Sequence, residues 1–180
     1  MKTQHTFDPK FEFVSKTLQK LVLKNFKKDS SSKALDIPCG NGRNIFLLSS
    51  YFKEVLGVDI NQDYIDEISK AKEIYPITSK ICLQKVDLSQ KNINVLINEY
   101  DFICNIQFYN FALIRHIINK MTKNTLLYIE TPSRKGGNSN ELPNLIEVNS
   151  LFLNNTVLHF EHKVCSGSDK ISFKALIKKQ

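Results

Sequence analysis

The sequence predicts an α/β fold: a doubly wound, mostly parallel sheet of seven strands, with helices on both faces and a C-terminal antiparallel hairpin. Two observations lead to this prediction. Runs rich in β-branched and aromatic residues alternate with segments of helical periodicity, and such alternation requires a parallel sheet. The last two apolar runs are separated only by 166–169, a connection short enough only for antiparallel neighbours.

The elements follow in order along the chain. Apolar residues recur at helical spacing through 11–26, so the segment 1–30 is predicted to be helical, with a polar break at 29–32. Pro76 ends the third helix because proline cannot continue one. Strands are predicted at 33–38, 55–60, 81–88, 100–108, 125–130, 155–164 and 170–178. Helices are predicted at 43–51, 62–74, 111–122 and 145–152, with a weaker helix at 91–98 and a loop at 133–140.

Length and composition indicate one folded domain over 1–180. The chain has 180 residues, of which 42% are hydrophobic, which is enough for a core. The net charge is +7, and it comes almost wholly from scattered lysines, since Arg43, Arg115 and Arg134 are the only arginines. We interpret the charge mostly as a solvated surface. Nucleic acid is an alternative partner that is not favoured.

The cysteines and histidines do not indicate a metal site. Cys39, Cys82, Cys104 and Cys165 lack the spacing of metal ligands, so we expect reduced, buried thiols in a cytoplasmic protein. His159 and His162 are three apart in a predicted strand and therefore point to opposite faces. We expect no secretory signal, no membrane association and no metal, with the chain acting as a monomer or homodimer.

Two glycines follow the first predicted strand. The segment 35–44 reads LDIPCGNGRN, which places Gly40 and Gly42 between a strand and a helix. Glycine lets the backbone approach a ligand closely, and the free N–H groups at the start of the helix suit a phosphate or a carboxylate. A pair of glycines is a weak signal alone, but its place between a strand and a helix strengthens it.

Residues suited to binding a nucleoside follow the next three strands. Asp59 ends the second strand, where a carboxylate can accept hydrogen bonds from both ribose hydroxyls. Asp87 and Leu88 end the third, where they can bind the amine and the face of an adenine. Asn105 and Gln107 lie at the end of the fourth. Ligands of doubly wound sheets bind at these strand ends. The alternative is that both aspartates cap helices and the glycines serve only the turn.

The segment 35–44 resembles the first motif of the Rossmann-fold S-adenosylmethionine (SAM)-dependent methyltransferases: hydrophobic-Asp-x-Gly-Cys-Gly-x-Gly-Arg-Asn. The Gly-Arg-Asn ending and Glu130-Thr131 resemble the tellurite-resistance-like branch, which acts on small molecules. The resemblance implies the cofactor SAM, bound through Asp36, Pro38, Cys39, Gly40, Gly42, Asn44, Asp59, Ile60, Asp87, Leu88, Asn105, Ile106 and Gln107. Two departures stand out. Pro38 replaces a glycine, and Asn110-Phe111 replaces a His-Arg pair after the fourth strand.

The sequence does not identify a catalytic side chain. SAM carries an activated methyl group, so the protein must chiefly align nucleophile, methyl carbon and sulfur. A base is needed only when the acceptor must lose a proton. Residues expected to line the acceptor pocket are Phe11, Phe108, Tyr109, Arg134 and Asn138, each of which has an ordinary structural alternative. A nucleophilic role for Cys39 is disfavoured because it lies in the cofactor loop.

Three alternatives to a small-molecule methyltransferase stay open. The first is a methyltransferase acting on RNA or another macromolecule, which the +7 charge favours. The second is a nicotinamide-dependent oxidoreductase, against which Ile45 stands where the dinucleotide fingerprint needs a third glycine. The third is a SAM-binding module without catalysis.

Overall fold

The structure is a computed structural model that describes residues 15–26, 30–74, 80–89, 95–132, 142–165 and 169–180. Its helices are α1 (Lys16–Asn25), α2 (Arg43–Ser49), α3 (Gln62–Ile74), α4 (Phe111–Lys120) and α5 (Leu145–Phe152). Its strands are β1 (Ser30–Asp36), β2 (Phe52–Asp59), β3 (Lys80–Lys85), β4 (Phe102–Ile106), β5 (Leu126–Glu130), β6 (Asn155–Val164) and β7 (Ile171–Lys179).

The seven strands form one sheet in the order β3-β2-β1-β4-β5-β7-β6. The first five run parallel, and β7 is antiparallel to both β5 and β6. The predicted fold class is therefore confirmed. Strand order reverses between β1 and β4, so the crevice at their carboxyl ends is the place where such a sheet binds ligands.

Each face of the sheet carries its own hydrophobic layer. Because side chains alternate along a strand, neighbours such as Leu127 and Tyr128 of β5 belong to different layers. One layer packs against α4 and α5, for example through Ile114 and Val148. The other packs against α1, α2 and α3, and it buries Leu18 of α1 completely.

Several boundaries differ from the prediction. The polar segment 29–32 was expected to be a break, yet β1 begins at Ser30, which pairs with Phe52 across an irregularity in the β1–β2 register. Backbone hydrogen bonds between strands do not require apolar side chains, so the polarity of 29–32 was a poor guide to where β1 begins. In the region of the weaker predicted helix, the described part holds a single 3₁₀ turn, Ile97–Glu99. Helices α3 and α5 have the predicted bounds.

Candidate cofactor site at the carboxyl ends of the parallel strands

The two glycines after β1 serve different purposes. Gly42 has φ +85°, and a Cβ there would lie 2.5 Å from Ile68 Cγ1 on α3. Packing of the loop against α3 therefore requires glycine at this position. Gly40 has φ +51°, but a Cβ there would meet no atom within 4 Å. Open space beside a left-handed glycine leaves room for a ligand against the backbone.

Asp59 ties the glycine loop to the end of β2. Its Oδ2 accepts a hydrogen bond from the Gly40 N–H at 2.8 Å, and its Oδ1 accepts one from the Asn61 N–H at 2.9 Å. The side chain that caps α3 is that of Asn61, whose Oδ1 accepts from the Asp63 N–H at 2.9 Å. Asp59 is thus not the cap of the helix that follows it. A carboxylate with one donor on each oxygen still has lone pairs for ribose hydroxyls.

The ends of β2 and β3 offer apolar surface and a second carboxylate. Ile60 directly follows Asp59 and is 57% exposed, so its side chain is available to an apolar part of a ligand. Asp87 Oδ1 accepts from the Ser89 N–H at 3.0 Å and the Ser89 hydroxyl at 2.7 Å, and so holds the turn after β3. Leu88 is buried beside it. An exposed apolar side chain at the end of β2 and a carboxylate at the end of β3 suit an adenosine.

Three buried polar side chains with unused hydrogen-bonding atoms lie at the ends of β1 and β4 and at the start of α2. Asp36 and Asn105 are fully buried, and Asn44 is nearly so. Asn105 Nδ2 donates to the Ile37 carbonyl at 2.7 Å, and Cys104 Sγ donates to Asp36 Oδ1 at 3.0 Å. Among the described residues, Asp36 Oδ2, Asn44 Oδ1 and Asn105 Oδ1 have no hydrogen-bond partner. Because buried polar atoms are nearly always paired, these strand ends are suited to a ligand that supplies donors.

Burial controls the charge of Asp36. It raises the pKa of this carboxyl from 3.8 to about 7, against the opposing effects of the Cys104 hydrogen bond and of Arg43. The nearby Asp59 carboxylate raises the pKa further. Desolvation dominates because a fully buried carboxylate loses its hydration. Asp36 therefore changes protonation near neutral pH, where a cationic ligand would favour its ionised form.

The departure at Pro38 is accommodated by the loop. The Ile37–Pro38 peptide bond is cis. The neighbouring Cys39 N–H donates to the Val58 carbonyl at 2.8 Å, and the Cys39 carbonyl accepts from Gly42 at 3.1 Å.

Burial raises the pKa of the Cys39 thiol far above its usual range, and the Asp36 and Asp59 carboxylates add to the shift. A thiol so protonated is a poor nucleophile, which supports the expectation that Cys39 has no nucleophilic role.

The end of β4 has an unusual backbone conformation. Gln107 has φ +58°, although it is not a glycine. Its N–H donates to the Glu130 carbonyl at 2.7 Å, which holds the two strand ends together. Positive φ at a residue without special local bonding is costly and recurs at functional sites. The conformation leaves the Gln107 side chain exposed at the mouth of the crevice.

A cavity of about 370 Å³ opens beside Gln107 and extends along the C-terminal hairpin. The described residues that line it come from the ends of β4 and β5 and from β6 and β7: Gln107, Glu130, Thr131, Glu161, His162, Lys163, Ser172, Phe173 and Lys174. Except for Gln107, the sequence did not identify these as site residues. The resemblance did single out Glu130-Thr131 as a strand end, but the contribution of the hairpin depends on a register that sequence does not give.

The residues predicted for the acceptor pocket lie elsewhere or are not described. Phe108 and Tyr109 are half-buried and pack against the core, with Tyr109 edge-on to Phe173 at 6.5 Å between ring centroids. Neither lines the cavity among the described residues. Phe11, Arg134 and Asn138 lie outside the described residues. Their proposed contacts with an acceptor stay predictions.

Ile45, which argued against a dinucleotide-binding site, has a clear packing role. Ile45 stands where the fingerprint has its third glycine, and it lies on α2 facing Gly57 of β2. A Cβ at Gly57 would be 2.3 Å from Ile45 Cδ1. Close approach of helix and strand is therefore provided by a glycine on the strand instead of one on the helix. The contact explains why this loop does not need the third glycine.

The remaining predictions concern thiols, metals and membranes. All four cysteines are free, and Cys82 is half-buried instead of buried. No group of three or more potential metal ligands occurs in the described parts of the chain. His162 stacks on Phe160, whereas His159 lies 3.1 Å from Glu161, so the two histidines share no ligand position. Within the described ranges, no helix is long and apolar enough to cross a membrane.

Comparison with solved structures defines the class of protein. A SAM-dependent methyltransferase from Methanosarcina mazei has a TM-score of 0.64 at 15% identity, covering 88% of this chain and 96% of its own. TehB from Haemophilus influenzae has a TM-score of 0.66 at 17% identity, covering 93% of this chain and 63% of its own. The chain therefore has the fold of these two proteins.

Sequence comparison gives the family. The model of the tellurite resistance protein TehB family matches residues 1–130, and the chain belongs to this family. An uncharacterized methyltransferase of Schizosaccharomyces pombe is 27% identical over 104 residues, or 55% of this chain. A protein of Invertebrate iridescent virus 6 assigned as methyltransferase 235L is 25% identical over 162 residues, or 89% of this chain. The chain spans 37% and 54% of the lengths of these two relatives.

Proposed function

We propose that this protein is an enzyme that binds SAM at the carboxyl ends of β1 to β4 and transfers its methyl group to a small molecule. The observation that carries the proposal is the open space at Gly40, whose N–H is held by the Asp59 carboxylate. The unpaired buried atoms of Asp36, Asn44 and Asn105, at neighbouring strand and helix ends, support the same ligand. These residues fit a cationic, donor-rich nucleoside.

The residues of the chain divide the work of binding. Asp59 would hold the ribose while it keeps Gly40 in place, and Ile60 with Leu88 would cover the adenine. Asp36 and Asn105 would receive donors from the amino-acid end. When bound, SAM supplies an activated methyl group on a sulfonium. The chain must then hold an acceptor in line with it near Gln107, since alignment provides much of the rate.

Binding and transfer can be tested separately. We expect calorimetric titration to show one site for SAM and for S-adenosylhomocysteine, and none for NAD. Incubation with methyl-labelled SAM and a protein-free cell extract should then label a small molecule. If SAM binds but no extract yields a labelled product, the protein is a binding module without catalysis. Binding of NAD in preference to SAM would overturn the proposal.

RNA is the second candidate acceptor, because the chain has a net charge of +7. A protein that contacts several phosphates loses affinity steeply as salt rises. Filter binding of ribosomal RNA between low and physiological salt would measure that slope. We expect weak binding with a shallow slope; tight, steeply salt-dependent binding together with labelled RNA would favour the macromolecular acceptor.

A further inference from the structure

The cavity along the hairpin begins where the proposed cofactor site ends. Gln107 lines the cavity and lies at the carboxyl end of β4. Glu130 lies on the neighbouring strand beside Gln107, because it pairs with Ile106, the residue before Gln107, in the β4–β5 register. A molecule in the cavity would thus meet Glu130 close to the place where a methyl group is expected.

Glu130 is held in place from several sides. Its Oε2 accepts a hydrogen bond from Tyr128 Oη at 2.7 Å, and Tyr128 is itself fully buried. Ser15 Oγ, at the start of α1, lies 3.3 Å from the same phenol. Burial raises the pKa of Tyr128 well above its usual range, so the phenol stays protonated and able to donate. The carboxylate is therefore oriented before any ligand arrives.

One oxygen of Glu130 remains open to a ligand. Among the described residues, the contacts of Oε1 are long: Gln107 Nε2 at 3.4 Å and Lys174 Nζ at 3.8 Å. Lys174 also donates to Thr17 Oγ1 at 3.2 Å, which draws it toward α1. A carboxylate oxygen accepts strong hydrogen bonds, so Oε1 has room for a donor from the cavity. The Glu130 side chain is 12% exposed.

The charged side chains of the cavity differ between its two ends. Lys174 pairs with Glu130 in the β5–β7 register and with Glu161 in the β6–β7 register, so one lysine and two glutamates share a single row across the sheet. Lys163 and His162 lie on the edge strand β6, two strands away from β5. At the end near Gln107, the cavity therefore favours a hydrogen-bond donor over an anion, because an anion there would face Glu130.

We propose that Glu130 selects the methyl acceptor, which is a small molecule whose nucleophile is an N–H or O–H group donating to Glu130 Oε1. This inference rests on the proposed methyltransferase function and names its acceptor class. During transfer, the lone pair of the acceptor nitrogen or oxygen forms a bond to the methyl carbon. The methyl–sulfur bond breaks and leaves its electron pair on sulfur. The proton released by the nucleophile passes to Glu130 and then to solvent.

The test identifies the methylated atom and then removes the carboxylate. Purified protein is incubated with methyl-labelled SAM and a protein-free yeast extract, and mass spectrometry identifies the labelled product. We expect an N-methyl or O-methyl compound. With that acceptor, Glu130→Gln should lower kcat/KM about 100-fold. The acceptor should also bind the Glu130→Gln variant loaded with S-adenosylhomocysteine more weakly than it binds the wild type in the same state. The affinity of the variant for SAM should be unchanged. Tyr128→Phe should lower kcat to a smaller extent, because it loosens Glu130 without removing it.

Glu67→Gln is the matched control, since it makes the same chemical change on the exposed face of α3. It should leave kcat/KM and SAM affinity as they are. A product methylated on sulfur or another chalcogen, or full activity of Glu130→Gln, would overturn the inference. SAM binding without any labelled product would overturn both this inference and the methyl transfer of the proposed function, because the cavity would then hold no acceptor. Failure of the wild-type protein to bind SAM would instead overturn the proposed function.

Discussion

Replacing Asp36 with asparagine should remove a pH dependence of stability that burial of this carboxyl creates. Burial raises its pKa from 3.8 to about 7. Below pH 3.8 the carboxyl is protonated in both the folded and the unfolded chain. Between pH 3.8 and about 7 the carboxyl ionises in the unfolded chain but not in the folded one, so the stability contributed by the protonated carboxyl is lost progressively as pH rises through this range. At about 1.4 kcal/mol per pH unit, the loss amounts to about 4 kcal/mol.

Urea denaturation of both proteins between pH 4 and pH 8 measures this effect. Asparagine keeps an oxygen that can accept from Cys104 Sγ, so the two proteins should have similar free energies of unfolding at pH 4. At pH 8 the Asp36→Asn variant should be more stable by about 2–4 kcal/mol. Asp66→Asn, on the exposed surface of α3, makes the same change without burial and should follow the wild type. Parallel curves for wild type and Asp36→Asn would refute the reasoning.

Two further changes separate folding from ligand binding. Gly42→Ala should destabilise the fold by about 2 kcal/mol or more, because its Cβ would overlap Ile68, whereas Gly40→Ala should cost only about 1 kcal/mol of backbone strain. The same Gly40→Ala variant should lose SAM affinity by at least about tenfold, since its Cβ enters the open space. Thermal unfolding measures the stability of the two variants, and calorimetry measures their SAM affinity. Unchanged affinity of Gly40→Ala would contradict the assignment of Gly40 to the cofactor site. Asn61→Ala should lower the free energy of unfolding by about 1 kcal/mol through loss of the α3 cap, measured by urea denaturation; no change would mean that Asn61 is not the cap.

The part of the fold that sequence predicted well is the part governed by local patterns. Alternating apolar runs gave the parallel strands, and the short connector gave the antiparallel hairpin. Helix α3 has the predicted bounds because its helical periodicity is local, and the prediction ended it before Pro76 for a local reason as well. The start of β1 was misplaced because Ser30 joins the sheet through its backbone, which side-chain polarity does not report.

The cofactor crevice was predictable for a topological reason. In a parallel sheet every carboxyl end lies on the same edge, so Asp59 and Gly40 had to meet near the point where strand order reverses. What the sequence could not show is that Asp59 also holds the Gly40 N–H. That contact depends on the exact depth of the loop, which no spacing rule provides.

The sequence did not predict the cavity along the hairpin, because its residues come together only through the pairing of strands that are distant in sequence. Glu130 faces Lys174 and Glu161 only if β5, β7 and β6 pair as observed. An irregularity between Val157 and His159 shifts the β6–β7 register, and a shift by one residue moves a side chain to the other face. Sequence therefore identified Glu130 as a strand end without showing what lies opposite it.

The most direct test of the account is an amide NMR titration of the protein with SAM, read residue by residue. Bound SAM should shift the amide resonances of Gly40, Ile60, Leu88 and Gln107 together at one stoichiometric site, and it should leave Lys120 at the far end of α4 unchanged. Saturable binding that shifts resonances elsewhere and leaves Gly40 and Ile60 in place would contradict the assignment of this crevice, and so would the absence of binding at millimolar SAM.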